Sequence, residues 1–320
     1  MREQPDINRL SHELHTPIYD VKSYKNYWLV MGKTGKWLAK PIRDVEHNVW
    51  WEDIEQKLRE RNFHAFPESK RIDNWLLSYF IDGEMVSYKD KKVCIPLMRT
   101  LATFHIAGQK LDTPPTFQAA YLLSDRLYER LNQFYHHLSK LHRYRHDKTF
   151  YLLSRYGPVF YQHAYDAYQR LYKIGLPYFA QSARKNHMLS HRDLASHNWI
   201  MDGQKELWLI DFETAAYDLQ IGDVWQVCSR MLNEHQWDVD LFQTLIQTYE
   251  SVNPLTQWER QALSVLCGFP NEFLRETIGI LEKKSGYKED LILPYLEKMV
   301  YDYPLWIDRV NKIQIWLSED

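Results

Sequence analysis

Two periodicities alternate along the chain, and their order divides it. Near the N-terminus two short runs of strand formers stand out, Tyr27-Trp28-Leu29-Val30-Met31 and Trp37-Leu38-Ala39-Lys40, separated by Gly32-Lys33-Thr34-Gly35-Lys36. Glycines flanking a polar turn between two β-prone runs predict a hairpin. The period then becomes helical over 45–61: Trp50, Ile54 and Leu58 share one face, and Glu46 extends that face backwards. A further apolar strand, 74–81, stops at Asp82-Gly83-Glu84, which reads as a hinge between two lobes. A helix follows from Cys94 to Gly108, with the glycine as its stop. Asp112-Thr113-Pro114-Pro115-Thr116 is the clearest break in the chain. Beyond it, 117–144 and 158–172 read as long helices. From Val239 onward helices are expected over about 239–250, 256–267, 270–282, 287–301 and 304–317, with Pro254, Pro270, Pro294 and Pro304 near their starts and breaks. The expected class is α+β, with a small β-rich lobe over 1–82 and a large, mainly helical lobe over 83–320.

Composition narrows the classes. Hydrophobic residues make up 45% and charged residues 26%, a globular balance that excludes wholesale disorder. A formal net charge of −2 argues against a surface built throughout for nucleic acid. The 12 Trp, 22 Tyr and 13 Phe are spread along the chain, so they read as thick helical packing rather than a base-stacking platform. Cys94, Cys228 and Cys267 are far apart and form no CxxC, so a disulfide scaffold or zinc ribbon is not expected, and a reducing compartment fits. No run approaches the about 18 apolar residues of a membrane span, and the polar N-terminus has no apolar signal core. A soluble intracellular protein is expected. Between 140 and 155 lie Lys140, Arg143, Arg145, Lys148 and Arg155, interleaved with His142 and His146. The two histidines lack a carboxylate or cysteine partner for a metal, so this segment reads as a solvated helix end or an anion-facing surface.

The chemistry concentrates in His191-Arg192-Asp193-Leu194-Ala195-Ser196-His197-Asn198 and, after an apolar strand, Leu209-Ile210-Asp211-Phe212-Glu213. Asp193 followed by four residues and Asn198 has the spacing of a phosphoryl-transfer catalytic loop. Such a loop presents one carboxylate to the acceptor hydroxyl and returns an amide oxygen to a metal close by. Trp199-Ile200-Met201 and Leu207-Trp208-Leu209-Ile210, joined by a turn at Asp202-Gly203, form a second expected hairpin that ends on Asp211. A carboxylate there suits Mg²⁺, a hard cation that binds through one or two carboxylates plus substrate phosphates. The Gly32–Lys36 stretch is not a Walker P-loop, because only two residues separate its glycines and a strand follows.

Leu38-Ala39-Lys40, Tyr79-Phe80-Ile81-Asp82-Gly83, Leu101-Ala102-Thr103-Phe104-His105, the 191–198 stretch, Ile210-Asp211-Phe212-Glu213 and Asp218-Leu219-Gln220-Ile221-Gly222-Asp223 together resemble the aminoglycoside phosphotransferase/choline kinase superfamily. Within it the chain is most similar to the spore-coat-associated kinase-like proteins of Bacillus-type bacteria. The resemblance covers about residue 25 to the end and implies a two-lobed protein-kinase-like fold. It implies Asp193 as catalytic base, Asn198 and Asp211 as magnesium ligands, and Lys40 on the phosphates of ATP. Glu46 is the preferred helix partner for Lys40, with Glu52 left open, and the Tyr79, Phe80 and Ile81 hinge would read the adenine edge. Asp223 matches the structural aspartate that ties down the catalytic loop. Glu213 in place of glycine, and no Ala-Pro-Glu after it, point away from a regulated protein kinase and toward a small-molecule acceptor. No glycine-rich loop precedes Lys40. The segment 112–185 is expected to wall the acceptor side. The resemblance also implies residence in the mother-cell cytoplasm or the spore coat, with coat proteins as partners. A non-catalytic coat scaffold is the alternative.

Overall fold

The computed structural model describes residues 4–116, 121–144 and 148–319. In it the β-prone runs of the N-terminal quarter become a five-stranded antiparallel sheet. Its strands are β1 (Ile18–Tyr24), β2 (Tyr27–Gly32), β3 (Gly35–Pro41), β4 (Ser69–Ile72) and β5 (Trp75–Tyr79), in the spatial order β1-β2-β3-β5-β4. The expected hairpin is β2–β3, with Gly32 opposite Gly35 across the turn. Alternation gives the sheet two faces. Val21, Val30, Ala39 and Leu77 pack with Leu10 of helix α1 (Ile7–Glu13) into a small core. Leu38 and Lys40, with Leu76 and Ser78 beside them on β5, form the other face and line a cleft. The residue pattern does not foresee α1, β1 or β4. In β1 only Ile18 and Val21 are buried, so no alternation marks it as a strand.

Helix α2 (Val45–Glu60) begins where Asp44 accepts the His47 amide at 2.9 Å, a side-chain N-cap. It buries Trp50, Ile54 and Leu58, the expected apolar face, and also Trp51 and Glu55, against the larger core. After Tyr79 the chain leaves the first sheet. β6 (Gly83–Met85) pairs instead with β8 (Trp199–Asp202), which pairs with β9 (Leu207–Leu209). The expected second hairpin is thus extended by a strand from the hinge. β7 (Leu189–Ser190) and β10 (Ala216–Tyr217) clamp the two ends of the central segment.

The helical part comprises α3 (Lys91–Ala107), α4 (Leu123–Ser139), α5 (Lys148–Lys173), α6 (Leu176–Lys185), α7 (Gln220–Glu234), α8 (Val239–Glu250), α9 (Gln257–Cys267), α10 (Asn271–Leu281) and α11 (Glu289–Glu319). Three prolines expected at helix boundaries lie inside helices. α5 starts ten residues before Pro158, and α11 runs unbroken through Pro294 and Pro304. An interior proline costs roughly 3 kcal/mol. Packing offsets it in α5: Gly157 lets α5 approach Leu138 of α4, and Phe160 stacks on Phe273 with ring centroids 3.7 Å apart. Residues 117–120, Arg145 and His146 lie outside the described residues, so the start of the expected 117–144 helix and the His142–His146 pair are not tested. No helix among the described residues is long and apolar enough to cross a membrane.

Candidate active site

The loop between β7 and β8 is held in an unfavourable backbone shape by one buried carboxylate. Arg192 has φ 72°, a region costly to a side-chain-bearing residue, by roughly 1–3 kcal/mol. Asp223, in the first turn of α7, accepts the His191 amide at 2.6 Å and the Arg192 amide at 2.8 Å. It also accepts His105 Nε2 at 3.2 Å, and His105 Nδ1 contacts the Tyr249 hydroxyl at 2.7 Å. Burial pushes the Asp223 carboxyl up, but the His105 hydrogen bond and charge and the His191 amide outweigh it, so the group lies below its usual range. His191 is buried and donates Nε2–H to the Ile210 carbonyl at 3.0 Å. Burial pulls its pKa down, so it is neutral at pH 7.

From this anchored base Asp193 projects toward solvent, its side chain 45% exposed, with Arg230 Nη1 at 3.7 Å from Oδ1. Asn198 is buried and donates its amide N–H to the Asp193 carbonyl at 2.8 Å, closing the loop and leaving its side-chain oxygen available. The Asn198 carbonyl accepts the Ile210 amide at 3.0 Å, which ties the loop to the strand that delivers Asp211. Asp211 has φ 69°, the second strained residue of the site.

Opposite, Lys40 donates to Asp211 Oδ1 at 2.9 Å and to Glu213 Oε1 at 3.3 Å, joining the sheet to the helical part. Its ammonium lies 5.0 Å from the Tyr27 ring centroid. Burial alone would lower the Lys40 pKa; the Asp211 and Glu213 carboxylates outweigh it and hold the group above its ordinary value. Lys40, Asn198 and Asp211 line one cleft of about 380 Å³ together with Tyr79, Phe80 and Ile81. The Tyr79 ring itself leans over Gly35 and meets Trp37 edge-on at 5.3 Å, on the sheet face away from Lys40. Glu46 is exposed in the first turn of α2. The ion pairs of Lys40 run to Asp211 and Glu213 instead, and Glu52 pairs with Arg71 at 3.0 Å.

A family model described as phosphotransferase enzyme family matches residues 67–262. That span holds residues 79–85, the loop at 191–198 and the strand that leads to Asp211. The chain belongs to the phosphotransferase enzyme family. Among solved structures it is similar to an aminoglycoside phosphotransferase from Alicyclobacillus acidocaldarius, at 15% identity, covering 95% of this chain and 93% of that one with a TM-score of 0.78. A spectinomycin phosphotransferase in complex with ADP and spectinomycin matches at 11% identity, 98% of each chain and a TM-score of 0.59. A choline kinase from Cryptosporidium parvum matches at 14% identity, 95% of this chain, 94% of that one and a TM-score of 0.57. At these identities the likeness shows the fold.

Several supporting residues of this phosphotransferase-family chain escape sequence reasoning. Trp51 of α2 stacks on Phe212 at 4.2 Å, and His47 Nε2 contacts the Phe212 carbonyl at 3.0 Å, so α2 braces the turn after Asp211. Glu55 is buried and accepts the Ser69 amide at 3.1 Å and Arg59 at 3.1 Å, locking α2 to β4. The donor set at Asp211 and Asn198 is hard oxygen, and Lys40 already places a positive charge 2.9 Å from Asp211 Oδ1, so the site fits a small divalent cation.

Proposed function

We propose that this chain transfers the γ-phosphoryl group of ATP to a hydroxyl of a small molecule, with Mg²⁺. The observation that carries the reading is the single cleft lined by Lys40, Asn198, Asp211 and the 79–81 backbone, with Asp193 hydrogen-bonded to Asn198 at its edge. Adenine lies against Leu38 and the hinge backbone. Lys40 swings its ammonium from the carboxylates to the α- and β-phosphates. Asn198 and Asp211 would hold the cation, which would supply positive charge to neutralise the phosphate oxygens. Asp193 takes the proton of the acceptor hydroxyl as that oxygen bonds to the γ-phosphorus, and the bond from phosphorus to the ADP oxygen breaks. Arg230, with Nη1 3.7 Å from Asp193 Oδ1, helps orient that carboxylate. The turn between β1 and β2, whose Tyr24, Lys25 and Tyr27 line the cleft beside Lys40, covers the phosphates in place of a glycine-rich loop; the Gly32–Gly35 turn, at the other end of β2, does not reach them.

The test is thermal. Mg-ATP at a hundred times its dissociation constant contributes about 2.7 kcal/mol to the folded state. A rise in Tm with Mg-ATP that disappears in Asp211→Ala supports the reading; no rise at millimolar Mg-ATP refutes it. A second reading, a spore-coat scaffold that keeps the fold without turnover, draws on that short turn and on the closed Lys40–Asp211–Glu213 cluster. It expects Asp193→Asn to leave coat assembly intact and changes at Arg143 or Arg145 to disrupt it.

A further inference from the structure

We infer that Glu213 is the counter-ion that positions Lys40 for the phosphates, the part played in protein kinases by a glutamate on the helix that follows the lysine strand. The inference rests on the phosphotransfer reading and adds a positioning residue to it. α2 carries five carboxylates, and none of them reaches Lys40. Glu46 is exposed in the first turn. Glu52 holds Arg71 at 3.0 Å, and Asp53 accepts the Thr113 hydroxyl. Glu55 accepts the Ser69 amide and Arg59, each at 3.1 Å, and Glu60 accepts Gln56 at 2.8 Å.

The Lys40 side chain is only 14% exposed, and its two carboxylate neighbours are Asp211 at 2.9 Å and Glu213 at 3.3 Å. Asp211 is also a ligand for the cation of the proposed reaction. A carboxylate given over to a cation no longer neutralises Lys40, and a largely buried ammonium without a counter-charge is costly. Among the described residues Glu213 is the carboxylate that remains beside it. Its turn is held from both sides. Phe212 stacks on Trp51 with ring centroids 4.2 Å apart, and its carbonyl meets His47 Nε2 at 3.0 Å. The Thr214 hydroxyl donates to the His191 carbonyl at 3.0 Å, which ties the turn to the loop that carries Asp193. The counter-ion thus comes from the same short turn as Asp211, in the place where protein kinases have glycine. Lys40 is paired without any movement of α2.

The test is calorimetric titration of ATP into wild type, Glu213→Gln, Glu46→Gln, Lys40→Met and the Lys40→Met/Glu213→Gln double variant, once with Mg²⁺ and once with EDTA. Glu213→Gln is expected to weaken ATP about tenfold in both conditions, the scale of one hydrogen bond to a charged group. Its side chain is half exposed, so Tm should stay within about 2 °C of wild type. Added to Lys40→Met it should cost nothing further, because the two residues act as one unit. Glu46→Gln is expected to bind ATP as wild type does. A loss seen only with Mg²⁺ would make Glu213 a cation ligand and overturn the proposal. Additivity with Lys40→Met, or an equal loss in Glu46→Gln, would overturn it too. If wild type binds ATP and Glu213→Gln binds it equally, the proposal falls and the phosphotransfer reading stands. If wild type binds no ATP in either condition, both fall.

Discussion

At the scale of single residues, the strain at Arg192 and Asp211 is the cost of aiming a loop, and Asp223 is what sustains it. Asp223→Ala strips the acceptor from the His191 and Arg192 amides and from His105 at once. Scanning calorimetry is expected to show a loss of about 3–5 kcal/mol, the range for one partner removed from a buried charged network. Asp193 is half exposed, with Arg230 as its charged neighbour at 3.7 Å, so Asp193→Asn is expected to abolish turnover while leaving Tm nearly unchanged. The pH dependence has a definite sign. His191 is held below its ordinary value of 6.5 by burial, so the unfolded chain binds its proton first. Stability is therefore lost as pH falls below about 6.5. Asp223, also depressed, is fully charged above its unfolded value of 3.8 and adds a further loss as pH falls through its folded value. Urea midpoints measured from pH 8 down to pH 2 check both; a flat profile between 7 and 5 would contradict the assignment of His191.

At the scale of elements, the inter-lobe strand β6 depends on having no side chain at its first position. A Cβ at Gly83 would collide with the Met201 carbonyl and come within 2.7 Å of Ile200 Cγ2. Gly83→Val is expected to cost about 1–3 kcal/mol as β6 is pushed from β8. Because the 79–81 hinge immediately precedes it, the KM for ATP should rise as well. Urea unfolding and steady-state kinetics measure the two effects, and a variant with wild-type KM would show that the hinge does not contact nucleotide. The proline-bearing helices make the complementary point. α5 and α11 keep their length through Pro158, Pro294 and Pro304 because aromatic stacking such as Phe160 on Phe273 outweighs one lost hydrogen bond.

At the scale of the molecule, the chain has two cores of unequal size. The small one, around Leu10, Val30, Ala39 and Leu77, is sheltered by a single short helix, whereas the large one runs from α2 through α11. Hydrogen exchange is accordingly expected to open β1–β3 at lower free energy than α3 and α7. The Lys40 link to Asp211 and Glu213 joins the two parts across the cleft. Under the proposed function, Mg-ATP replaces that link with a stronger one, so it should slow exchange in β3 selectively. Equal protection of both parts without nucleotide would contradict the two-core description.

Local information in the sequence determined the elements whose residues carry their own period. The β2–β3 hairpin, the Trp50–Ile54–Leu58 face of α2 and the hairpin ending at Asp211 are legible because glycine turns and apolar spacing act over a few residues. The closeness of Asp193, Asn198 and Asp211 is likewise legible in their spacing, since a short loop and one strand bring them together. The partners of Lys40 were decided only in three dimensions. Glu46 has the right helical phase, yet the ammonium finds Asp211 and Glu213, more than 170 residues away, because α2 turns that face of its first turn to solvent. The same holds for the His105–Asp223–Tyr249 network, for Arg230 beside Asp193, and for helices running through their prolines. Each is settled by what the packed core places next to a group, and contacts between distant segments leave no period in the chain to read.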